Sequence, residues 1–361
     1  MFEDILVRHL EYSGYKVTRG MNFTDIEEKA IDEANKRKVD VQRLTQENIA
    51  EFIKEMNLLT MKVPEYLPKA SESVGEAVQI IKQLVTAGIA YWHKGNVYFD
   101  PLKFPGFGKL FGLDMKKWPG QKRRFHKDTY PGIQWNLGDF ILWHGEKKGE
   151  SISWDTEIGR GRPAWNIQDP AMIRPYFHEP LTIYCGGIDN LYRHHDYTLS
   201  ILESITNYPL AEFWLHCQHL FVKGQKMSKS KGNVYYTDTL LNQGYSAAEI
   251  RFFLIYGHYR TRLNYSRSAM IKAAAKLKSL KSIVSQINKI NINESCYDAN
   301  IVQKVKGTFC RGMDSDLNVK EALDGLYNML SGLDLSRLKA NEASGIMAGL
   351  REIDGVVKII F

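Results

Sequence analysis

Residues 226–230, Lys-Met-Ser-Lys-Ser, set two lysines and two serines in a short turn between Gly224 and Gly232. Lysine ammonium groups are mobile point charges, and serine hydroxyls and free backbone N–H groups are hydrogen-bond donors that suit an anion. The two glycines let the backbone come close to a bound group, because glycine has no Cβ atom. This composition predicts that the segment, called here the lysine-serine loop, holds a polyphosphate. A solvated basic loop has the same charge pattern, and the charges alone do not separate the two.

A second group of candidate residues follows a short apolar run. Residues 181–185 (Leu-Thr-Ile-Tyr-Cys) are a short apolar run that predicts a strand ending at Gly186 and Gly187, and residues 190–205 behind it have helical spacing. Open α/β sheets bind nucleotides at the carboxyl ends of parallel strands, so small residues here predict a place for adenosine against the backbone. Asp189 follows at once. Alone, the Gly-Gly-x-Asp pattern is weak evidence, since it occurs at many turns.

The order and spacing of the sequence segments resemble the cysteinyl-tRNA synthetases. The lysine-serine loop is the signature of class I aminoacyl-tRNA synthetases, to which that family is assigned. The resemblance extends over nearly the whole chain, in this order: residues 22–26 (Asn-Phe-Thr-Asp-Ile), 98–100 (Tyr-Phe-Asp), 154–155 (Trp-Asp), 159–167 (Gly-Arg-Gly-Arg-Pro-Ala-Trp-Asn-Ile), 186–189, His194 with His195, the loop, 257–260 (Gly-His-Tyr-Arg) and 263–266 (Leu-Asn-Tyr-Ser).

The resemblance implies an ATP-dependent ligase that activates an amino acid as its adenylate and transfers it to tRNA. Its implied substrates are ATP with magnesium, cysteine or a similar amino acid, and tRNA. The implied site residues fall into three groups: catalytic phosphate contacts from Lys226, Ser228, Lys229 and Ser230; ATP binding by Gly186, Gly187, Asp189 and Lys229; and an amino-acid pocket of Trp165, Asp169 and His194.

The zinc ligands that the resemblance implies are changed in this sequence. In the family, zinc binds the cysteine thiolate and so rejects serine, because zinc prefers soft sulfur. The position of the family's zinc cysteine is Asp169 here and that of its glutamate is Thr198, so that His194 alone is kept. Two side chains make a poor zinc site, and the sequence favours a pocket without zinc. Help from His195 or from a preceding segment stays open.

The helices and strands predicted around these residues indicate an α/β fold. The pattern of residues 2–10 predicts an amphipathic helix that ends near Gly14, and residues 15–18 read as a strand. The resemblance implies a Rossmann-like class I catalytic domain with an inserted connective subdomain, followed by an all-α helical bundle. Its parts are residues 1–61 (first half of the catalytic domain), 62–150 (connective insertion), 151–222 (second half), 223–266 (loop and acceptor-stem contact region) and 267–361 (helical anticodon-side domain).

Local patterns predict further elements. Residues 45–88 are expected to be helical, with a capping box from Ser73 and Glu76 and a stop at Gly88. A hairpin is expected at residues 90–99 and a strand at 214–219, and Ser246 with Glu249 predicts a second capping box. Residues 116–127 mix cations with aromatic rings, as an RNA-contacting surface does, although a plain exposed loop is the favoured interpretation.

The resemblance also places a segment before the first helix, with a first strand, a zinc cysteine and a His-Ile-Gly-His motif. No His-x-Gly-His pattern occurs in this sequence, which predicts reduced activity. A further anticodon-reading module would follow Phe361. Two alternatives to the tRNA ligase therefore stay open: a catalytically impaired paralogue that binds ATP or tRNA, and a ligase that joins cysteine or a similar amino acid to an amine other than tRNA.

Composition agrees with a cytoplasmic enzyme of two or three domains. The 361 residues are 44% hydrophobic and 25% charged, which is ordinary globular usage. The net charge of +7 suits an anionic partner such as RNA. The four cysteines have no C-x-x-C spacing, and no signal peptide or membrane span is expected from the sequence. The oligomeric state is not predicted.

Overall fold

The computed structural model describes residues 1–114, 139–147, 152–290 and 297–361. By its contacts the chain falls into two compact units. The first unit comprises Met1–Val17, Ile53–Val63 and His216–Phe361, and the second comprises Thr18–Phe52 and Pro64–Leu215. The five-part division expected from the sequence stays a prediction.

The second unit mixes helices with short strands around one apolar core. The core contains Val78, Ile81, Phe99, Trp143 and Ile201, all buried. The elements with residues in this unit are α2 (Glu28–Arg37), α3 (Val41–Leu58, which continues into the first unit), α4 (Val74–Thr86), β1 (Ala90–His93), β2 (Asn96–Phe99), β3 (Phe140–Gly145), β4 (Gly161–Pro163), α5 (Trp165–Ile173), β5 (Leu181–Gly187), α6 (Asp196–Glu203) and β6 (Ala211–Cys217).

A four-stranded antiparallel sheet runs in the order β1, β2, β3, β4. Its first two strands are the predicted hairpin, which is confirmed. Lys94 and Gly95 close the turn with φ angles of 47° and 78°, the left-handed conformation that two-residue hairpin loops require. Phe140 on β3 stacks on Tyr197 of α6 with ring centroids 3.9 Å apart. The sheet is thereby fixed to the helix that follows the candidate nucleotide strand.

The strand and helix predicted around the paired glycines are confirmed. β5 ends in the glycines and pairs with β6. The Leu181 N–H donates to the Leu210 carbonyl at 2.9 Å, which places the starts of the two strands side by side. A π-helical turn, Leu191–His195, leads without a break into α6. This turn carries His194, a residue of the predicted pocket, and its neighbour His195.

The first unit holds a small three-stranded sheet and the helical bundle. Its elements are α1 (Phe2–Tyr12), β7 (Leu220–Val222), β8 (Gln225–Lys226), α7 (Thr237–Asn242), α8 (Ala247–Ile255), β9 (Leu263–Tyr265), α9 (Arg267–Asn288), α10 (Ala299–Asp314), α11 (Val319–Ser331) and α12 (Ala340–Val357). Ser246 and Glu249 form the predicted capping box of α8. The bundle predicted from residue 267 onward is confirmed, because its apolar stripes are buried, with Leu277 and Leu350 at most 1% exposed.

Two predictions near the amino terminus are wrong. Residues 15–18 form no strand: the Tyr15 N–H donates to the Leu10 carbonyl at the end of α1, and the next backbone pairing is an isolated bridge between Gly20 and Tyr66. Helix does not extend from residue 45 to 88 either. Thr60 adopts a φ of 52° after α3, and the chain stays non-helical through two prolines before α4 begins.

Two further predictions fail because polar groups find other partners. The Ser73 hydroxyl donates to the Lys69 carbonyl at 2.9 Å, so α4 has no capping box. The strand expected at 214–219 ends at Cys217, since the Gln218 N–H donates to the Tyr259 carbonyl at 2.8 Å. The stop at Gly88 is confirmed by its φ of 70°.

The predictions about cysteines, the basic run and membrane spans can be compared with the structure only within the described residues. Cys185, Cys217 and Cys310 form no disulfide, while Cys296 lies outside the described residues. The basic and aromatic run at 116–127 also lies outside them. Within the described ranges, no helix is both long enough and apolar enough to cross a membrane.

Helices α10 and α11 pack so closely at Gly312 that a single added methyl group there is expected to destabilise the fold. A Cβ atom added at Gly312 would lie 2.4 Å from the Ala322 backbone nitrogen. Gly312→Ala is therefore expected to lower the free energy of unfolding by about 1–3 kcal/mol, because backbone atoms must move. Urea denaturation followed by circular dichroism measures this change.

Gly307 on the same helix is the matched control. A Cβ atom there meets no atom within 4 Å. Gly307→Ala should raise the free energy of unfolding by up to about 1 kcal/mol, through helix propensity alone. Equal effects of the two substitutions would contradict the close contact at Gly312.

Candidate functional site

The glycine-edged strand packs against a histidine ring. A Cβ atom at Gly186 would lie 2.3 Å from Cε1 of His195, so no larger residue fits between this strand and the π-helical turn. His195 itself is 2% exposed. The Gly187 carbonyl accepts from the Asn190 N–H at 2.9 Å and closes the turn that carries the exposed Asp189. Packing against His195 is therefore enough to explain a glycine at position 186. The contact of this glycine with adenosine stays a prediction.

Two of the three predicted pocket residues form a buried pair. The Asp169 carboxylate on α5 lies 2.5 Å from Nε2 of His194, and the side chains are 6% and 8% exposed. The same carboxylate accepts hydrogen bonds from the Asn22 amide at 2.6 Å and from the Tyr184 hydroxyl at 3.3 Å. Three donors from three separate segments thus converge on the Asp169 carboxylate. Asp169 and His194 form the central pair, and Asn22 and Tyr184 support it.

The charges of this cluster follow from its surroundings. Burial by itself would raise the pKa of Asp169, but His194 beside it, helped by His195 and Tyr184, holds the pKa below its ordinary value. Burial, and then the neighbouring carboxylate, raise the pKa of the Tyr184 phenol well above its ordinary value. At neutral pH the cluster therefore contains an ionised carboxylate and a protonated phenol, whose O–H group donates a hydrogen bond to that carboxylate.

Aromatic rings enclose the pair. Trp165, the third predicted pocket residue, stacks on the His194 ring with centroids 3.9 Å apart. Tyr184 stacks on Trp214 at 4.7 Å and meets the His195 ring edgewise at 4.6 Å. The structure thus brings Trp165, Asp169 and His194 together, and their role as an amino-acid pocket stays a prediction.

Sequence reasoning missed three members of this cluster: Asn22, Tyr184 and Trp214. A signal existed for two of them. Asn22 opens one of the segments that resemble the family, and Tyr184 lies on the strand that runs into the glycines. Nothing in the local pattern around Trp214 marks it as a pocket residue.

The residues at the family's zinc positions do not fit a zinc site. Both oxygens of Asp169 already accept hydrogen bonds, and Nε2 of His194 is bonded to one of them. Thr198 donates its hydroxyl to the His194 carbonyl at 2.8 Å, inside the helix. Among the described residues, no three histidine, cysteine or acidic side chains are grouped so as to hold a metal. Zinc also needs more ligands than this pair supplies.

The lysine-serine loop is shaped by one asparagine. β8 pairs with β7, with Phe221 opposite Lys226, and delivers the chain into the loop. The Ser228 N–H donates to Oδ1 of Asn233 at 2.9 Å, and Nδ2 of Asn233 donates to the Lys226 carbonyl at 3.2 Å. The side chain of Asn233 thus bridges both ends of the loop, a role that the sequence did not reveal.

The exposed part of the loop is a 3-10 turn, Lys229–Lys231, that ends at Gly232 with a φ of 62°. Lys229 and Lys231 are exposed, while Lys226 and Ser228 are half-buried. The backbone of Ser230 lies in the turn, and its side chain is not among those described. The turn presents a lysine ammonium group to solvent on a backbone held by defined hydrogen bonds.

Comparisons with known proteins agree with this arrangement. The family model for the tRNA synthetases class I (C) catalytic domain matches residues 1–275. The cysteine--tRNA ligase of Chlamydia pneumoniae is 31% identical over 370 residues, which cover 100% of this chain and 77% of that protein. The cysteine--tRNA ligase of Leptospira interrogans is 34% identical over 351 residues, which cover 95% of this chain and 73% of that protein.

A solved structure shows the same fold. Methionyl-tRNA synthetase of Mycobacterium tuberculosis, bound by methionyl-adenylate, matches 99% of this chain and 85% of its own, with a TM-score of 0.65 and 16% sequence identity. The fold is therefore the Rossmann-like fold of class I aminoacyl-tRNA synthetases, with a helical region at the carboxyl end, as the sequence predicted. Within that class, the chain belongs to the family of the cysteine--tRNA ligases.

Proposed function

We propose that this chain activates an amino acid with ATP and transfers the aminoacyl group to tRNA. The observation that carries the proposal is the family match, which covers the whole chain, together with a lysine-serine loop whose backbone is fixed and whose Lys229 is exposed. The methionyl-adenylate bound to a protein of the same fold supports the use of ATP.

In the proposed activation step, a carboxylate oxygen of the amino acid attacks the α-phosphorus of ATP. The bond from that phosphorus to the bridging oxygen breaks, and pyrophosphate leaves as its magnesium complex. Negative charge grows on the leaving group, and the ammonium groups of Lys226 and Lys229 stabilise it in the transition state. Ser228 and Ser230 add hydrogen-bond donors, while Gly186, Gly187 and Asp189 seat the nucleotide.

In the proposed transfer step, a terminal ribose hydroxyl of tRNA attacks the carbonyl carbon of the adenylate and AMP leaves. The formal net charge of +7 supports a polyanionic acceptor of this kind. The exposed Lys272 and Lys278 on α9 provide positive charge on the helical bundle.

Pyrophosphate exchange tests the proposal. The purified chain is incubated with ATP, magnesium, labelled pyrophosphate and each standard amino acid in turn. We expect at least one amino acid to support incorporation of label into ATP, at a rate at least tenfold above that of amino acids with unrelated side chains. Adding tRNA should then make that amino acid acid-precipitable.

The other results have distinct meanings. If no amino acid supports exchange, the proposed amino-acid activation is wrong, and the alternative of a protein that only binds ATP or tRNA is favoured. Exchange without transfer to tRNA, but with transfer to an added amine, would overturn the tRNA acceptor and favour a ligase for a different amine.

A further inference from the structure

His194 has one ring nitrogen engaged and one free. Nε2 is bonded to Asp169 at 2.5 Å. Nδ1 is buried, and within the residues that the structure describes it has no hydrogen-bond partner. Buried polar atoms in native proteins are nearly always paired. A ligand that supplies the missing hydrogen bond would account for this unpaired atom.

The position of Nδ1 is fixed by the groups around the ring. Trp165 covers one face of His194 in a stack at 3.9 Å, and rotation of the ring would break its bond to Asp169. Asp169 is held in turn by Asn22 and Tyr184. The free nitrogen is therefore held in one orientation, and because it is buried, a ligand reaches it only when neighbouring side chains move.

The chemistry of Nδ1 selects the group that can pair with it. A neutral ring whose Nε2–H donates to Asp169 accepts a hydrogen bond at Nδ1, and a protonated ring donates one there. A hydroxyl or thiol can do either, because it is both donor and acceptor. We infer that the pocket recognises amino acids whose side chain carries a hydroxyl or thiol, through a hydrogen bond to Nδ1 of His194 and without zinc. This inference rests on the proposed function, since it takes this cluster as the amino-acid pocket.

Other side chains fit the cluster less well. An apolar side chain leaves Nδ1 unpaired, and an acidic one would lie close to the Asp169 carboxylate, which repels it. An ammonium group would have to compete for the Asp169 carboxylate, whose two oxygens already accept from Asn22, Tyr184 and His194.

A hydrogen bond also separates sulfur from oxygen less sharply than zinc does. Zinc favours thiolate because sulfur is soft, whereas an imidazole nitrogen pairs with a hydroxyl at least as well as with a thiol. We therefore expect discrimination between cysteine and serine to be small, and discrimination against a methyl group in the same place to be large.

Binding of adenylate mimics tests this inference without turnover. Sulfamoyl-adenosine conjugates of cysteine, serine and 2-aminobutyrate are titrated calorimetrically into the full chain, first after dialysis against EDTA and then with added zinc chloride. The cysteinyl and seryl conjugates should both bind at least tenfold tighter than the 2-aminobutyryl one, whose methyl group replaces the thiol. EDTA and zinc should change each Kd by less than twofold.

Two results would overturn the inference while leaving the proposed function standing: equal binding of all three conjugates, or a preference that is present only with zinc. Failure of every conjugate to bind would overturn the proposed function and the inference with it.

A variant of the ring nitrogen gives an independent test. His194→Phe keeps an aromatic ring beside Trp165 and removes both nitrogens, so the preference over 2-aminobutyrate should fall below twofold. His178→Phe makes the same substitution at an exposed position of the same unit and should keep the full preference. An unchanged preference in a folded His194→Phe variant would contradict the assignment. If that variant does not fold, the comparison of the three conjugates on the native chain decides.

Discussion

Replacing Lys229 with alanine is expected to lower kcat for pyrophosphate exchange by about 100- to 1,000-fold, with KM for ATP changed less than about threefold. The ammonium group would act on charge that develops on the leaving pyrophosphate, which is small in the ground state. The loss should therefore fall on the transition state. Steady-state exchange kinetics at varied ATP separate kcat from KM.

Lys231 provides the matched control for this substitution. It lies in the same 3-10 turn, is also exposed and carries the same charge. Lys231→Ala should change kcat by less than about threefold, since an exposed charge that makes no direct contact with the phosphates is screened by salt. If Lys229→Ala alters only KM, or if the two variants lose activity equally, the loop acts through its general charge and not through a specific contact at Lys229.

Replacing Arg251 with methionine is expected to lower the free energy of unfolding by about 3–5 kcal/mol, because it removes the buried cation of the Asp4 carboxylate. That carboxylate is then left with its ion pair to Arg8 at 3.1 Å. Arg251 is 1% exposed and donates to the Asp4 carboxylate at 2.6 Å. It also donates to the carbonyls of Val357 at 2.7 Å and Leu59 at 2.8 Å. One guanidinium therefore connects α1, α8, the end of α12 and the segment after α3, and urea denaturation measures its loss.

The pH dependence of this effect has a defined sign. Burial alone would raise the pKa of Asp4, but Arg251 and the Lys62 N–H hold it below its ordinary value. A carboxyl with a lowered folded pKa stabilises the fold above its unfolded pKa, and that contribution is lost as the pH falls through the folded value. The difference between Arg251→Met and the native chain should thus be largest near neutral pH and shrink below about pH 4.

An exposed pair in the other unit gives the baseline. Arg43 donates to Glu47 at 3.0 Å on the surface of α3. Arg43→Ala should change stability by less than about 0.5 kcal/mol. A loss at Arg251 no larger than this baseline would contradict the structural role assigned to the buried guanidinium.

Features carried by contiguous residues could be predicted from the sequence. The lysine-serine loop, the glycine-edged strand and the hairpin turn at Lys94 and Gly95 each depend on a few neighbouring residues whose conformational preferences are specific. The capping box of Ser246 and Glu249 is equally local, because both partners lie within one helical turn.

Features that depend on distant partners could not be predicted. Asn22 and Asp169 are 147 positions apart, and Asp4 and Arg251 are 247 apart. The strand expected at residues 15–18 failed for the same reason, since its local pattern says nothing about whether a neighbouring strand is available. Ser73 met the pattern for a cap, but its hydroxyl found the Lys69 carbonyl instead.

Asp169 connects the sequence and the structure. In the sequence it stands where the family resemblance implies a zinc cysteine. In the structure its carboxylate holds the imidazole of His194 in one orientation, with Asn22 and Tyr184 as supports. Asp169 therefore has a hydrogen-bonding role of its own at this position.

A single-turnover reaction examines the proposed activity at its first chemical step. The full chain, in excess over ATP labelled at the α-phosphate, is mixed with magnesium and each amino acid, and the products are separated by chromatography. We predict that at least one amino acid yields an aminoacyl-AMP together with an equal amount of pyrophosphate. Recovery of unchanged ATP with every amino acid, or formation of ADP in place of the adenylate, would contradict amino-acid activation by this chain.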